Sequence, residues 1–275
     1  MTQSFSSLLF VPGNRPDRIT KAFASGADIV CIDLEDAVAP SDKAATRAGV
    51  LAMLPDLPQA RTMVRINGVR TREGLEDILA LADAAALPGQ IMIPKLSAPA
   101  EAAIVGDLIG GRLAGIVGII ETATGFTDCA AIAAAPSVSG LMVGVADLSA
   151  ELGCELAWEP LLAARSAIVL ACAAAGIIAI DGPSLTLEDG SDLQDEVKRA
   201  RALGFVAKAA IHPVQLGAID RAFRPDAAAV RAAVEALEAF AAGGGQAIRF
   251  RGRLLEAPLV RQLQRIAAFE GNIHA

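Results

Sequence analysis

Eight short apolar runs recur along the first 211 residues of the chain. Each run is five to seven residues long and nearly continuously apolar, as in parallel strands that helices cover from the outside. The runs lie at residues 7–11, 28–34, 62–66, 90–94, 115–120, 140–145, 176–181 and 207–211. Their spacing leaves room for helices between them, so the sequence predicts a parallel α/β fold.

Helical patterns occupy the segments between the runs. In segment 72–84, for example, Leu75, Ile78, Leu79 and Ala82 recur at helical spacing and form one apolar face. Eight strand–helix units in about 220 residues match the usual size of a (β/α)8 TIM barrel, which is the predicted fold class. An open doubly wound sheet is the alternative, and it would bind a ligand where the strand order reverses.

The pattern changes after the eighth unit. Residues 226–245 form a long helical segment that ends in glycines, and a tail outside the alternation follows. We therefore expect a barrel domain over residues 1–224 and a C-terminal helical extension, or lid, over residues 225–275. The extension covers one end of the barrel or packs on a neighbouring subunit.

Charge and composition exclude several classes of partner. The net charge is −7, aromatic residues make up 4% of the chain, and there is one Trp and no Tyr. Nucleic-acid binding needs clustered Lys and Arg or stacking aromatics, so we do not expect it. No secretory signal opens the chain, and the longest apolar stretch, residues 167–180, is shorter than the ~20 residues that cross a bilayer. Four cysteines without paired spacing fit a reducing cytoplasm.

Charged residues and glycines accumulate at the predicted strand ends. In a (β/α)8 barrel the functional residues lie at the C-terminal ends of the strands, whereas a purely structural barrel would carry mostly turn residues there. The residues at these ends are Gly13, Glu35, Asp36, Arg65, Asn67, Lys95, Glu121, Asp147, Asp181 and His212. The accumulation predicts an active site at this end of the barrel.

Glu121 and Asp147 follow adjacent strands and are candidate metal ligands. Two carboxylates that face one cavity raise each other's pKa unless a cation separates them. Mg²⁺ commonly uses one or two protein carboxylates and leaves its other positions to water and substrate. With only two histidines in the chain, a zinc site is not expected. The alternative is that both carboxylates cap the helices that follow.

Arg65 ends the third run and is predicted to point into the same mouth. A guanidinium there binds a substrate carboxylate or stabilises the oxygen of a developing enolate. The alternative is an ion pair with the acids of residues 30–38, and both roles can hold if Glu35 or Asp36 orients Arg65 while Arg65 meets substrate. The concentration of acids at Asp33, Glu35 and Asp36 indicates that a cation is bound beside them.

Seven strings in order, SLLFVPGNRPDRITKAFASGADIVCIDLEDAV, VRIN, IPK, IIETATG, VGVADLSAELG, AIDGP and KAAIHPVQ, resemble the citrate lyase beta-subunit-like family. The resemblance implies a (β/α)8 barrel that binds Mg²⁺. It implies cleavage of a 3-hydroxyacyl thioester, of the citryl-, malyl- or citramalyl-CoA type, into a 2-oxoacid and an acyl thioester. By the same resemblance, Glu121 and Asp147 are the metal ligands and Arg65 binds the oxoacid, with Glu35 and Asp36 close to both.

The resemblance also implies contacts with the carrier and with a partner subunit. Gly13, His212 and Gln215 would contact the coenzyme A carrier, although His212 has an alternative role as the cap of a turn. Relatives use an aspartate from a neighbouring subunit as acid/base, and Glu256 stands in its place here. The family's Arg-Ser before the first strand is Ser6-Ser7, so one basic contact is missing. The resemblance implies a homo-oligomer, and members of the family often form trimers.

Four functions remain open from the sequence. The leading hypothesis is a Mg²⁺-dependent lyase that acts on a coenzyme A thioester. The alternatives are a metal-dependent 2-keto-acid aldolase, a CoA-ester hydrolase, and a non-catalytic lyase subunit or oxoacid-binding protein. The role of Lys95 is left open.

Overall fold

Eight parallel strands close into a barrel in a computed structural model that describes residues 5–268. Strand β1 pairs with β2 on one side and with β8 on the other, so the sheet has no free edge. The strands are β1 (Ser7–Pro12), β2 (Ile29–Asp33), β3 (Thr62–Arg65), β4 (Gln90–Ile93), β5 (Gly115–Ile120), β6 (Val138–Val143), β7 (Ile178–Asp181) and β8 (Ala207–Ala210). The predicted barrel is confirmed, and the open sheet is excluded.

Helices separate the strands as the sequence pattern predicts. In the barrel they are α1 (Pro16–Ala24), α2 (Lys43–Met53), α3 (Arg72–Ala82), α4 (Pro99–Ile109), α5 (Ala123–Thr127), α6 (Cys129–Ala133), α7 (Val145–Leu152), α8 (Leu162–Ala175), α9 (Ser191–Leu203) and α10 (Leu216–Phe223). Most strand boundaries lie within a residue or two of the predicted ones. Strand β6 begins two residues earlier than predicted, beside a register shift between Ile116 and Val117 in β5.

Apolar side chains from all eight strands fill the barrel interior. The buried cluster includes Leu8, Cys31, Met63, Met92, Val117, Met142, Ile180 and Ala207. Such layers make the barrel a packed core with no open pore. Polar groups are therefore concentrated at the strand ends.

The apolar face predicted for α3 is wrong in part. Leu75 and Leu79 are 49% and 56% exposed, whereas Asp77 is 1% exposed. Asp77 accepts hydrogen bonds from Arg47 and from the backbone and side chain of Asn67. These bonds compensate for the burial of the carboxylate, so a buried acid occupies the face that hydrophobicity alone would give to leucines.

Asp181 is at a strand end but serves the structure of the barrel. It is fully buried and lies 2.6 Å from Lys208 Nζ and 3.0 Å from Arg165 Nε. Lys208, also fully buried, bonds to the Gly182 carbonyl and to Glu196 as well. This cluster joins β7, β8, α8 and α9, so Asp181 does not belong to the polar set at the barrel mouth.

The chain divides into two compact units, residues 1–219 and residues 220–275. The second unit contains α11 (Ala227–Ala242), a two-stranded antiparallel hairpin of β9 (Ile248–Phe250) and β10 (Arg253–Leu255), and α12 (Ala257–Ala267). The boundary predicted after residue 224 and the lid role of this unit stay predictions. Across residues 5–268, every helix is too short or too polar to traverse a lipid bilayer.

Candidate active site

A cavity of about 450 Å³ opens at the C-terminal ends of the barrel strands. Its polar lining comes from Asp33, Asp36, Arg65, Glu121 and Asp147, among others. Its apolar lining includes Phe10, Ile119, Met142 and Val145. The structure thus brings together the arginine and the two carboxylates that the sequence assigned to one mouth.

A second cavity of about 390 Å³ adjoins the first and shares Val145, Pro183 and Leu185 with it. Trp158 lies in this second cavity, and the guanidinium carbons of Arg165 and Arg199 lie 4.3 and 4.7 Å from the centroid of its ring. None of the predicted site residues lines it, as far as residues 5–268 define its wall. The first cavity is therefore the candidate active site.

Arg65 is held in a fixed orientation by two acids of the preceding strand and loop. Arg65 and Asp33 are neighbours in the β2–β3 register, and Arg65 Nε and Nη2 each donate to an Asp33 oxygen at 2.7 Å. Arg65 Nη1 lies 2.8 Å from Glu35 Oε2, at an angle outside hydrogen-bond geometry. The guanidinium also stacks over Phe10, 5.1 Å from the ring centroid. Arg65 thus forms an ion pair with these acids and also lines the cavity, so both roles considered from the sequence can hold.

Burial shifts the pKa values of this cluster. Burial alone lowers the pKa of Arg65, but the bonds to Asp33 and the charge of Glu35 outweigh it and raise the pKa. Burial also raises the pKa of Glu35, and Arg65 and Lys95 oppose that shift only in part. Arg65 therefore keeps its charge, and the carboxyl groups of Asp33 and Glu35 face it before any substrate arrives.

Asp33 and the two acids just after β2 have three different roles. The sequence interpretation named Glu35 or Asp36 as the residue that orients Arg65, but the main partner is Asp33, at the end of the strand. Glu35 contacts both Arg65 and Lys95, whose Nζ is 2.5 Å from Glu35 Oε1. Asp36 is 61% exposed, lines the cavity and lies 4.0 Å from Lys95. The cation expected beside this acidic cluster is thus supplied in part by Arg65 and Lys95.

Glu121 is a buried carboxylate that faces the cavity. Its Oε1 accepts a hydrogen bond of 2.7 Å from the backbone N–H of Lys95. Burial raises the pKa of Glu121 to about 8, and the nearby charges of Glu35 and Asp147 act in the same direction. Thr122, one residue later, caps α5 through Gly125 N, so Glu121 is not needed as the cap.

Asp147 lies in the first turn of α7 and lines the same cavity as Glu121. Within residues 5–268, no group of three or more His, Cys, Asp or Glu side chains is arranged to hold a metal ion. The two carboxylates alone do not make a closed zinc site, but they fit Mg²⁺, which takes its remaining oxygens from water and substrate. A cation there would also offset the cost of ionising Glu121 in its buried position.

Gly144 has no side chain, and the Glu121 side chain packs directly against its backbone. A Cβ at position 144 would collide with the carboxylate and the Cβ of Glu121. The sequence interpretation missed this glycine, although its place between β6 and Asp147 was a signal for close approach of a side chain.

We expect Gly144→Ala to displace Glu121, to weaken Mg²⁺ binding and to lower turnover by about tenfold or more, because misplacement by an ångström is costly in an active site. Isothermal titration calorimetry with MgCl₂ measures the first effect. Gly49→Ala is the matched control, since nothing lies within 4 Å of an added Cβ on this exposed turn of α2. Unchanged Mg²⁺ affinity in Gly144→Ala would contradict the prediction.

The residues predicted to contact the carrier are engaged in local structure. The Gly13 N–H donates to the Asp33 carbonyl at 2.9 Å, and an added Cβ would press on the same carbonyl. His212 Nδ1 accepts from Val214 N, which is the capping alternative. Gln215 is 1% exposed; its Oε1 accepts from Ile211 N and its Nε2 donates to two carbonyls. Their contact with coenzyme A stays a prediction.

The two departures from the family strings lie at opposite ends of the chain. Ser6 is buried, and its backbone N–H donates to Asp28. Glu256 stands at the N-cap position of α12 in the second unit. Its predicted role as acid/base therefore stays a prediction.

Known proteins resemble this chain over most of its length. The profile of the HpcH/HpaI aldolase/citrate lyase family matches residues 6–213. An L-malyl-CoA/beta-methylmalyl-CoA lyase of Cereibacter sphaeroides is 34% identical over an alignment of 290 positions, gaps included. The alignment covers 93% of this chain and 91% of the relative. A citrate lyase subunit beta-like protein of Mycobacterium tuberculosis is 36% identical over an alignment of 259 positions. That alignment covers 92% of this chain and 90% of the relative.

A solved structure shares the fold as well. The crystal structure of CitE from Mycobacterium tuberculosis in complex with magnesium, acetoacetate and coenzyme A has a TM-score of 0.83 and 32% identity, and it covers 98% of this chain and 100% of that one. The resemblance noted in the sequence is confirmed. The chain belongs to the HpcH/HpaI aldolase/citrate lyase family.

Proposed function

We propose that this chain is a Mg²⁺-dependent carbon–carbon lyase that cleaves a 3-hydroxyacyl-CoA thioester into a 2-oxoacid and an acyl-CoA. The observation that carries the proposal is the joint placement of Glu121, Asp147 and Arg65 around one cavity. Two relatives support it, because one is named as a malyl-CoA lyase and the other was crystallised with magnesium and coenzyme A.

Glu121 and Asp147 would hold the ion. Bound Mg²⁺ would supply Lewis-acid polarisation of the hydroxyl, later keto, oxygen and of the adjacent carboxylate. The fit rests on oxygen ligands, on a single cavity and on a buried carboxylate whose ionisation a cation would favour.

Arg65 would bind the oxoacid half of the substrate. Nε and one hydrogen of Nη2 are bonded to Asp33, so the guanidinium cannot rotate, and its free N–H groups remain for a carboxylate. Asp33 and Glu35 would act as positioning residues for Arg65, and Asp33 and Asp36 both line the cavity. Phe10, Ile119 and Met142 keep the floor of the cavity apolar, which strengthens charge interactions at the reacting atoms.

A panel of substrates tests the proposal. We expect Mg²⁺-dependent release of a 2-oxoacid from malyl-, citramalyl- or citryl-CoA, measured with a coupled dehydrogenase or as a phenylhydrazone, and its loss with EDTA. Free 4-hydroxy-2-oxoacids should not be cleaved. Equal cleavage of those free acids would identify an aldolase instead, and release of coenzyme A without an oxoacid would identify a hydrolase.

Four finer assignments belong to the same proposal. The protein would work in the cytoplasm as a homo-oligomer, in the family's manner a trimer. Glu256 of a neighbouring subunit would act as acid/base, and residues 225–275 would form the lid. Light scattering after size exclusion, read against the 28.1 kDa chain, tests the oligomeric state.

A further inference from the structure

Lys95 has an unusual backbone conformation at the edge of the site. It follows β4 after one proline and has φ +51°, a left-handed value. Within residues 5–268 only Arg251 shares this feature among non-glycine residues. Side chains other than glycine, asparagine and aspartate seldom adopt it, and residues held this way cluster at functional sites. A glycine would meet the backbone requirement with less strain, so the lysine side chain needs its own explanation.

Lys95 contacts the site at two points, with its backbone N–H and with its side-chain ammonium. Its backbone N–H donates to Glu121 Oε1 at 2.7 Å. Its Nζ donates to Glu35 Oε1 at 2.5 Å, and Glu35 Oε2 lies 2.8 Å from Arg65. One residue thus connects a carboxylate that faces the cavity to the arginine that faces it from another strand.

The contacts that Lys95 makes with the site are its bonds to these two carboxylates. The wall of the cavity, as residues 5–268 define it, does not include Lys95. The ammonium remains protonated, since burial lowers its pKa but the bond to Glu35 and the charges of Glu35 and Asp36 raise the pKa by more. The ammonium acts to lower the pKa of Glu35, which burial raises, and its hydrogen bond holds the carboxylate in place.

We propose that Lys95 is a positioning residue that sets the geometry of Arg65 relative to Glu121, through an ammonium that holds Glu35 and a backbone N–H that holds Glu121. The inference rests on the proposed function for its kinetic consequences but not for its structural ones. Because every substitution except proline keeps the backbone N–H, changing the side chain should displace Glu35 and Arg65 and leave Glu121 in place.

Lys95→Met is the informative variant, because it keeps the length of the side chain and removes the ammonium. We expect kcat for malyl-CoA, or for whichever thioester the wild type cleaves, to fall by about 10- to 100-fold. We expect the affinity for Mg²⁺ alone to stay within about twofold or to tighten, because a positive charge near Glu121 is lost. Lys95→Arg should recover part of kcat, and Lys95→Gly should behave like Lys95→Met.

A readout independent of turnover is the NMR signal of the Arg65 Nε–H, which is bonded to Asp33. In Lys95→Met we expect this signal to shift and to exchange faster with water. The control is Lys198→Met, an exposed lysine on α9, which should leave the signal and kcat unchanged. A merely structural role would lower Tm and Mg²⁺ affinity together in all Lys95 variants.

Two outcomes overturn the inference. One is an Arg65 signal in Lys95→Met that matches the wild type, whether or not the protein is active. The other is joint loss of Tm and Mg²⁺ affinity without recovery in Lys95→Arg. Failure of the proposed function is a separate result, visible as a wild-type protein that cleaves no thioester while its Arg65 signal still responds to Lys95→Met.

Discussion

Glu121→Gln is expected to abolish Mg²⁺ binding and to reduce turnover by about a thousandfold, while the barrel stays folded. A Lewis acid contributes several kcal/mol to such a reaction, and each ~1.4 kcal/mol is a factor of ten in rate. Glutamine keeps the volume of the side chain and the oxygen that accepts from Lys95 N, so the site loses a charge and little else. Asp147→Asn should show the same loss.

Calorimetry with MgCl₂, circular dichroism and the thioester assay together test this expectation. Glu155→Gln is the matched control, since Glu155 is an exposed carboxylate outside the cavity. Wild-type turnover in both Glu121→Gln and Asp147→Asn would contradict the metal assignment. Loss of turnover with loss of fold would contradict the view that Glu121 is placed for function.

The raised pKa of Glu121 gives the same prediction a pH signature. With that pKa at about 8, metal-free protein carries a proton on Glu121 at neutral pH, and Mg²⁺ must displace it. Mg²⁺ affinity should therefore fall by about tenfold per pH unit below that pKa. Titrations in buffers of different ionisation enthalpy count the released proton, and Glu121→Gln should release none at this site.

The same shift fixes the sign of a stability effect in metal-free protein. The folded-state pKa of Glu121 lies above its ordinary value of 4.5, so the folded protein holds a proton that the unfolded chain has released. The bound proton therefore stabilises the folded protein fully below about pH 4.5, and this stabilisation is lost as the pH rises to about 8. Saturating Mg²⁺ should restore stability on the alkaline side.

The barrel was predictable because its strands carry a strong local signal. Runs such as residues 115–120 are apolar throughout, which suits a strand buried on both faces. Helix α3 was harder, because its buried face includes Asp77, whose partners Arg47 and Asn67 are far away in sequence or on another element. Hydrophobic periodicity does not detect a buried carboxylate that distant partners neutralise.

The site was predictable where geometry follows from topology alone. Arg65, Glu121 and Asp147 come together because parallel strands bring their C-terminal ends to one rim. Asp181 follows the same rule but binds Arg165 and Lys208, which lie 16 and 27 residues away and give the sequence no sign of pairing. The position of Gly144 between β6 and Asp147 indicated a close approach, but only the structure shows that the approaching side chain is Glu121.

Arg65→Lys is expected to lower kcat/KM by about 100-fold or more while Mg²⁺ binding persists. Lysine keeps the positive charge but lacks the planar fork that bonds both Asp33 oxygens and still presents N–H groups to a substrate carboxylate. Because a charge remains, Asp33 and Glu35 are not left buried without compensation, and the variant should fold. Arg65→Met removes that charge and should unfold more easily, by about 3–5 kcal/mol, so it is the poorer test.

The comparison that decides the role of Arg65 is between oxoacid binding and metal binding. Pyruvate should bind Mg²⁺-loaded Arg65→Lys more weakly than wild type, whereas MgCl₂ titrations of the two should agree within about twofold. Arg72→Lys, at a side chain 86% exposed on α3, controls for the substitution itself. If Arg65→Lys retained full kcat/KM, positive charge alone would suffice at this position. The bonds from Asp33 would then serve only the stability of the barrel, because a fixed guanidinium plane would have no catalytic value.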